Sequence, residues 1–383
     1  MDATGWDAAA WDDLAVRGAG GDVFQSHAWG ELKRELGWVP QRRVVEDAGG
    51  PVAAVAWQER SVARALSAIA ALPAPLRAGL GRGGLEHGTA LGRLAAPALG
   101  LRFLYAPRGP VLLRPGPEAA AVALRALRTI ARGRRAVVLT IDPAWDEGGP
   151  LAAELAAAGF RPALREVQVS RTAMPVPLLP DEGEQHRLLG DSTARNVNKA
   201  RRAGVLVERV DLSDPGSREA ALEEFHAFFA DTARGEGFVL RDRAYLLRQW
   251  RALGEARLAS LWFSRLGERR LNGVIVLHSG EQLVSYQAGA PDGADLRRTR
   301  ANHLLQWEIM RWGAARGYRL YDLGGVDTQD APGLPADRTH PLWNLYEFKQ
   351  GFGARGVVRV RAHEYAPRPA LGLAWRTWQR AGV

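Results

Sequence analysis

The chain has 383 residues, no cysteine and a formal net charge of +9 at pH 7. The lack of cysteine excludes disulfides, thiolate metal sites and a cysteine nucleophile. The basic charge favours polyanionic partners, although the arginine-rich composition of GC-rich genomes explains it equally well. Hydrophobic content of 46% and charged content of 24% are those of a globular protein long enough for two domains. An acidic start and the lack of a long apolar run predict a cytoplasmic protein.

The first predicted elements are a short helix and a strand pair. Ser26 is suited to be the N-cap of a helix whose apolar residues share one face, and Gly37 is placed to end it. Strands at 42–45 and 52–57 are expected to pair. Lys33 lies on the helix, and a solvated lysine is the simplest interpretation of it.

The segment 61–100 is rich in Ala, Leu, Gly and Arg, and its prolines break any single helix. We expect a helical hairpin packed on the first domain; a basic amphipathic lid or membrane-surface contact is the alternative.

Two polar features follow in the first half. In the run Tyr105-Ala106-Pro107-Arg108-Gly109-Pro110-Val111, the prolines stiffen the backbone, which suits an arginine aimed at an anion. Pairing of Arg108 with a neighbouring carboxylate is the alternative. After a predicted helix at 118–132, a buried strand at 136–141 ends at Asp142, where ligands often bind in α/β sheets. Capping of a helix by Asp142 is the competing interpretation.

The second half begins with a predicted basic helix. Arg195, Lys199 and Arg202 recur at i, i+4 and i+7, so they share one helical face. Such a stripe suits a phosphate backbone, and a solvated basic surface is the alternative. Further on, Arg241 and Tyr245 would share a face on a helix and could both donate to phosphate.

The remaining elements are predicted from periodicity and turn residues. They are helices at 218–230 and 301–313, a strand meander at 258–263, 272–278 and 282–289, and a short strand at Tyr321.

The stretch Leu345–Ala354 holds one lysine among aromatic residues and glycines. Tyr346, Phe348 and Phe352 alternate as in a half-buried strand, while the i−3 and i+3 neighbours of Lys349 are aromatic. A lysine whose stem covers the edge of a core is one interpretation. Upstream, Tyr321-Asp322-Leu323-Gly324-Gly325-Val326-Asp327 is a strand ending in a glycine turn flanked by carboxylates.

These stretches resemble, in order and over most of the chain, the FemABX family of aminoacyl-tRNA-dependent transferases, which build peptidoglycan side branches. The resemblance is carried by the F-Q-S-x-x-W-G-x-x-K pattern from Phe24, the run from Tyr105, the Arg195 helix, Y-Q-A-G-A from Tyr286 and the Lys349 stretch. The run from Asp231 is similar to a family turn but has Gly235 where the family has arginine. The resemblance also implies that 61–100 is an insertion and that the family's coiled-coil arm is absent.

The resemblance implies an α/β (α+β) fold of two GNAT-like domains with mixed central sheets flanked by helices. Residues 1–165 and 357–383 would form the precursor-binding domain, and residues 166–356 the domain on the aminoacyl-tRNA side. The implied catalytic residues are Lys349, which stabilises the oxyanion, and Asp142, which orients the accepting amine. Implied precursor-binding residues are Lys33, Tyr105, Arg108, Arg241, Tyr245 and Tyr286, and implied tRNA-binding residues are Arg195, Lys199 and Arg202.

The function so implied is transfer of Gly, Ala or Ser from aminoacyl-tRNA to the stem-peptide amine of a peptidoglycan precursor, either UDP-MurNAc-pentapeptide or lipid II. It needs no metal or cofactor, and it belongs in the cytoplasm, with the inner face of the membrane as a further contact. Three alternatives stay open: a tRNA-dependent transferase of secondary metabolism, an acyl-CoA-dependent GNAT enzyme and a non-catalytic RNA-binding protein. The acyl-CoA alternative lacks a glycine-rich loop at 296–302, and the RNA-binding alternative does not explain Lys33, Asp142, Tyr286 and Lys349.

Overall fold

The computed structural model describes residues 6–64, 100–291, 293–328 and 330–380. Most of the segment 61–100, and therefore the expected hairpin or lid, lies outside the described residues. The chain forms two compact units, the first comprising Met1–Ala15, Phe24–Gln168 and Arg359–Val383, and the second Val16–Val23 and Val169–Val358. The short segment Val16–Val23, expected in the first domain, thus belongs with the second.

The elements of the described residues are numbered here in chain order. The helices are α1 (Ala8–Asp12), α2 (His27–Glu35), α3 (Pro117–Gly133), α4 (Pro150–Ala157), α5 (Glu182–Arg187), α6 (Asp191–Arg202), α7 (Pro215–Glu236), α8 (Arg243–Glu255), α9 (Ala294–Thr299), α10 (Ala301–Ala314), α11 (Trp343–Gln350) and α12 (Pro369–Arg380). The strands are β1 (Val39–Asp47), β2 (Gly50–Ser61), β3 (Arg102–Ala106), β4 (Val111–Leu112), β5 (Ala136–Ile141), β6 (Arg161–Pro162), β7 (Thr172–Ala173), β8 (Pro175–Pro177), β9 (Val205–Val210), β10 (Ala259–Leu266), β11 (Arg269–Ser279), β12 (Gln282–Gly289), β13 (Leu320–Asp322), β14 (Val357–Val358) and β15 (His363–Tyr365).

The first unit is built on a mixed sheet with the strand order β1-β2-β3-β5-β15-β6, and β4 pairs with β2. Strands β3 and β5 run parallel, whereas β1 with β2, β2 with β3 and β5 with β15 run antiparallel. One face packs on α3, whose Leu124 and Leu127 are fully buried together with Trp57 of β2 and Leu139 of β5. The C-terminal residues therefore complete the first unit, beginning at Arg359, because β14 pairs instead with β7 of the second unit.

The second unit has its own mixed sheet, in the order β8-β13-β12-β11-β10-β9. Strands β10, β11 and β12 form the predicted antiparallel meander, and β12 pairs with β13 in parallel. The buried residues Trp307 and Ile309 of α10 and Val197 of α6 share the core on one side of the sheet. In both units a mixed sheet is flanked by helices, so the predicted architecture is confirmed.

One turn expected from the sequence is helical. Residues 231–236, which match a turn pattern, continue α7 until Gly237, whose φ of +74° ends the helix in the left-handed region. Arg234, already displaced by one position from the family pattern, pairs with Asp231 one turn earlier. The helix continues because Asp231–Glu236 contains no proline and its glycine at 235 keeps a helical backbone.

Candidate functional site

Asp142 lies at the carboxyl end of β5 and accepts three hydrogen bonds. Its Oδ1 accepts from the backbone N–H of Arg108 at 2.7 Å, and its Oδ2 accepts from the Tyr105 hydroxyl at 2.9 Å and from Gln168 Nε2 at 2.7 Å. The capping interpretation is wrong, because the next helix, α4, has Gly149 as its N-cap. Tyr105, Arg108, Asp142 and Gln168 are called the Asp142 cluster below.

The electrostatics of the cluster favour a carboxyl group ready to accept a proton. Burial raises the pKa of Asp142, and the positive charge of Arg108 and the hydrogen bonds oppose this rise only in part. Burial and the charge of Asp142 raise the pKa of Tyr105 well above its usual value, so the tyrosine stays protonated and donates. The sequence gives no local signal for Gln168, because it lies in an irregular segment 26 residues from Asp142.

The Arg108 turn is held in a rigid conformation by Gln25. Arg108 itself has a φ of +55°. Gln25 Nε2 donates to the carbonyl oxygens of Pro107 at 2.6 Å and Ala56 at 3.0 Å, and its Oε1 accepts from the N–H of Ala56 at 2.7 Å. A side chain at Gly109 would come within 2.7 Å of Gln25 Nε2, which explains the glycine. Gln25 is part of the F-Q-S pattern, and its fixed place directly before Ser26 was the only signal for it.

Lys33 lies on α2, where Ser26 is the N-cap as predicted and its hydroxyl accepts from the N–H of Trp29. The Lys33 ammonium is 4.2 Å from the centre of a Trp29 ring, a cation–π distance. The lysine is half-buried.

Lys349 lies on helix α11, so the strand expected for this stretch is wrong. The alternating aromatic residues fit a strand, but the stretch is helical, so Lys349 lies one turn after Tyr346, and Phe352 comes two residues after the helix ends. Phe352 is fully buried in the core of the second unit and Tyr346 packs against that core. Lys349 is carried into the interior by these neighbours and is 6% exposed.

The Lys349 ammonium is held by two backbone carbonyl groups. Its Nζ donates to the oxygens of Gly324 at 2.9 Å and Gly325 at 2.7 Å. Because an ammonium group has three N–H donors, these two bonds leave one for a ligand. Burial lowers the pKa of Lys349 to about 8, although the charge of Asp322 opposes this.

The glycine turn that binds Lys349 is braced by the two carboxylates that flank it. Asp322 Oδ1 accepts from the N–H groups of Gly324 at 2.9 Å and Met174 at 2.8 Å. Asp327 accepts from the hydroxyl of Thr172 at 2.6 Å and from its N–H at 3.0 Å. Gly324 has a φ of +84°, and a Cβ atom there would lie 3.0 Å from the backbone carbonyl oxygen of Ser285. The turn is therefore a preformed cradle for the ammonium.

A second cluster of predicted residues surrounds Tyr286 on β12. Its hydroxyl accepts from Gln249 Nε2 at 2.9 Å, and burial raises its pKa to about 12. The Arg241 guanidinium is 5.5 Å from the centre of the Tyr245 ring. Arg241 precedes α8, which Asp242 caps, so the expectation that both residues share a helix face is wrong although they meet. Gln249, which is one helical turn beyond Tyr245, was missed.

The basic stripe lies on α6 as predicted. Arg195, Lys199 and Arg202 are exposed, while Val197 and Ala200 on the opposite side are fully buried. Within the described part of the chain, no group of three or more histidine or acidic side chains is arranged to bind a metal ion. No helix of that part is long and apolar enough to cross a membrane.

Comparisons with known proteins agree with this architecture. A family model described as an acetyltransferase (GNAT) domain matches residues 191–332. The lipid II:glycine glycyltransferase of Staphylococcus aureus is 22% identical over 420 residues, which cover 90% of this chain and 88% of that protein. The crystal structure of FemX superposes with a TM-score of 0.73 at 18% identity, covering 97% and 98% of the two chains. A conserved protein of unknown function from Bacteroides thetaiotaomicron VPI-5482 has a TM-score of 0.52 at 10% identity, covering 94% and 97%. The predicted GNAT-like fold is confirmed.

Proposed function

We propose that this chain, whose resemblance to the FemABX family is confirmed, is an aminoacyltransferase of peptidoglycan synthesis. It would move an amino acid from aminoacyl-tRNA to the stem-peptide amine of a peptidoglycan precursor. Glycine and a lipid-linked precursor are the first candidates, because the Staphylococcus aureus relative is named for both. Alanine and serine, and a UDP-linked precursor, are the alternative substrates for the same reaction.

The observation that carries the proposal is the buried Lys349 ammonium in its carbonyl cradle. Attack of an amine on the ester of an aminoacyl-tRNA builds negative charge on the carbonyl oxygen of the ester. The amide then forms and the tRNA hydroxyl leaves. A donor fixed in advance stabilises such an oxyanion, and loss of one costs about 3–4 kcal/mol of the barrier. Two carbonyl bonds fix the ammonium and one N–H remains. With a pKa of about 8, Lys349 is largely protonated at pH 7.

Asp142 is proposed to receive the accepting amine. Its buried carboxylate has a raised pKa and accepts from three fixed donors, so it is oriented and able to take a hydrogen bond from an amine or its departing proton. Tyr105 and Arg108, which contact it, would bind the precursor near this group. Lys33, Arg241, Tyr245 and Tyr286 would bind other parts of the precursor, the cations and the phenols acting as donors to its phosphates.

The exposed stripe of Arg195, Lys199 and Arg202 would bind the acceptor stem of the tRNA. The chemistry needs no metal or cofactor in this scheme. The precursor and charged tRNA are cytoplasmic, so we propose a cytoplasmic enzyme acting at the inner face of the membrane when the precursor is lipid-linked.

Acyl transfer from acyl-CoA is the second candidate, favoured by the match to an acetyltransferase (GNAT) domain model. A pyrophosphate is usually held at the N-terminus of a helix by a glycine-rich loop. Helix α10 instead begins after Arg300, which has a φ of +63°, and Leu296–Asn302 contains no glycine. This region therefore supports aminoacyl transfer better than acyl-CoA binding.

The test is transfer of radiolabelled amino acid from a charged-tRNA pool to UDP-MurNAc-pentapeptide and to lipid II, with acetyl-CoA as a parallel donor. We expect tRNA-dependent transfer that falls by about two orders of magnitude in Lys349→Met, as for a lost oxyanion donor. Arg319→Met, which removes an exposed positive charge outside the proposed binding residues, is the matched control for loss of one cation. Transfer from acetyl-CoA alone would replace the proposal with the second candidate.

A further inference from the structure

Gln58 of β2 is a buried amide without a hydrogen-bond partner in the part of the chain that the structure describes. Its side chain is 3% exposed, and neither Oε1 nor Nε2 is bonded within the described residues. Gln25 and Gln185 are also fully buried, yet both use their oxygen and their nitrogen. A buried polar group left unpaired opposes folding. A ligand that forms hydrogen bonds with the Gln58 amide would remove this cost.

The strand register places Gln58 beside the Asp142 cluster. Gln58 is directly opposite Tyr105 of β3, and directly opposite side chains of antiparallel strands share one face. Tyr105 pairs in register with Thr140, and Thr140 with Glu364. The alternate residues Trp57, Leu104, Leu139 and Tyr365 all lie in the apolar core on the α3 side. Gln58, Tyr105, Thr140 and Glu364 therefore form one polar row across four strands.

Within this row, the side chains of Tyr105 and Glu364 have hydrogen-bond partners, whereas the Gln58 amide has none among the described residues. Tyr105 donates to Asp142, and Glu364 Oε1 accepts from Trp375 Nε1 at 2.9 Å and from Gln379 Nε2 at 3.2 Å. A carboxamide carries one acceptor and two N–H donors without net charge. Its complement is another amide, which offers a donor and an acceptor side by side, rather than a phosphate or a metal ion.

We propose that the Gln58 carboxamide binds a peptide group of the acceptor's stem peptide, accepting from its N–H and donating to its carbonyl oxygen. This inference rests on the proposed function and adds a binding residue for the peptide part of the substrate. The subsite adjoins Tyr105, and through it Asp142, where the amine of the same peptide is received. Gln58 is 3% exposed, whereas Tyr105 and Thr140 in the same row are partly exposed, so the peptide would approach Gln58 from their side.

The test compares Gln58→Met with the wild-type chain by calorimetric titration of UDP-MurNAc-pentapeptide. Methionine has a similar length and no amide, so we expect affinity for the pentapeptide to fall by about tenfold, the loss typical of a hydrogen-bonded group. Affinity for UDP-MurNAc, which lacks the peptide, should stay unchanged. In transfer assays the substitution should raise KM for the precursor more than it lowers kcat.

The stability of Gln58→Met distinguishes a ligand-binding glutamine from a structural one, because replacing a structural glutamine lowers stability. Replacing an unpaired buried amide by an apolar group removes a cost, so the urea midpoint of Gln58→Met should equal or exceed the wild-type value. Gln185→Met is the matched control and should lower the midpoint, because it strips partners from the N–H of Leu179 and the carbonyl of Pro177.

Three results would overturn the inference. An unchanged pentapeptide affinity in Gln58→Met, an equal loss for UDP-MurNAc, or a drop in midpoint like that of Gln185→Met would each remove the subsite while leaving the proposed function intact. If the wild-type chain bound neither precursor and transferred no amino acid, the proposed function and the ligand named for Gln58 would fall together.

Discussion

At the scale of single residues, Lys349 combines burial with a fixed hydrogen-bond geometry, and this has a consequence for stability. Its pKa is about 8 in the folded chain and 10.5 for an ordinary lysine. Between these values the unfolded chain binds more protons than the folded one, so raising the pH stabilises the fold. Below about pH 8 the buried charge opposes folding by at most about 3 kcal/mol, from 1.36 kcal/mol per unit of pKa.

We therefore expect the free energy of unfolding of the wild-type chain to rise, relative to that of Lys349→Met, between pH 7 and pH 10. Urea unfolding of both chains at several pH values measures this difference. The difference in unfolding free energy between the wild-type chain and Lys199→Met, a substitution at an exposed position on α6, should stay constant over the same pH range. A difference that stays constant over this range would mean that Lys349 is not desolvated.

The sequence singles out Asp142 and Lys349 as candidate residues, but it does not show how their side chains are held. It does not single out Gln25 and Gln168, which hold the Arg108 turn and Asp142. Their partners lie between 26 and 82 residues away along the chain, and side-chain bonds of that separation leave no local pattern. The flanking carboxylates of the Gly324 turn were visible, but only the structure shows that they bind backbone N–H groups.

At the scale of elements, helix α6 presents a basic face whose function can be separated from its packing. If Arg195, Lys199 and Arg202 each contact a phosphate, replacing all three by glutamine should weaken tRNA binding. It should also reduce the slope of log affinity against log salt by about 2–3, at about 0.7–0.9 per contact. Fluorescence titration of labelled tRNA at several salt concentrations measures both.

Arg201 on the same helix provides the control for this prediction. It is exposed to a similar degree but pairs with Glu308 at 3.1 Å, so Arg201→Gln should change the salt slope less than any substitution of the stripe. An equal change for Arg201 would show that general charge, rather than this face, attracts the tRNA. The solvated-surface interpretation would then stand.

Elements with one strong period were predicted well, and ambiguous ones were not. The meander β10–β12 and the buried strand β5 were found because alternation or a continuous apolar run left no helical alternative. The Lys349 stretch satisfied both periods, since Tyr346 and Phe348 alternate while Tyr346 and Phe352 flank the lysine at three residues on each side. The packing of Phe352 in the core of the second unit favours the helix. This contact joins residues that are far apart in sequence, so the local pattern does not reveal it.

At the scale of the whole molecule, the first unit is discontinuous in sequence. Its central strand β5 pairs with β3 on one side and with β15 on the other. Tyr365 of β15 lies in the core beside Phe160, and Glu364 binds two side chains of α12. The last residues thus supply a strand and a helix that the first 168 residues cannot replace.

Ending the chain after Val358 should therefore expose the edge of β5 and destabilise the first unit while sparing the second. Hydrogen exchange followed by mass spectrometry would show this as lost protection in β3 and β5 with retained protection in β10 and β11. A chain ending after Arg368 keeps β15 and loses only α12, so it should retain more protection in β5. If both truncated chains protected β5 like the full chain, β15 would be an accessory strand. Equal loss in the two units would instead mean that they unfold as one cooperative body.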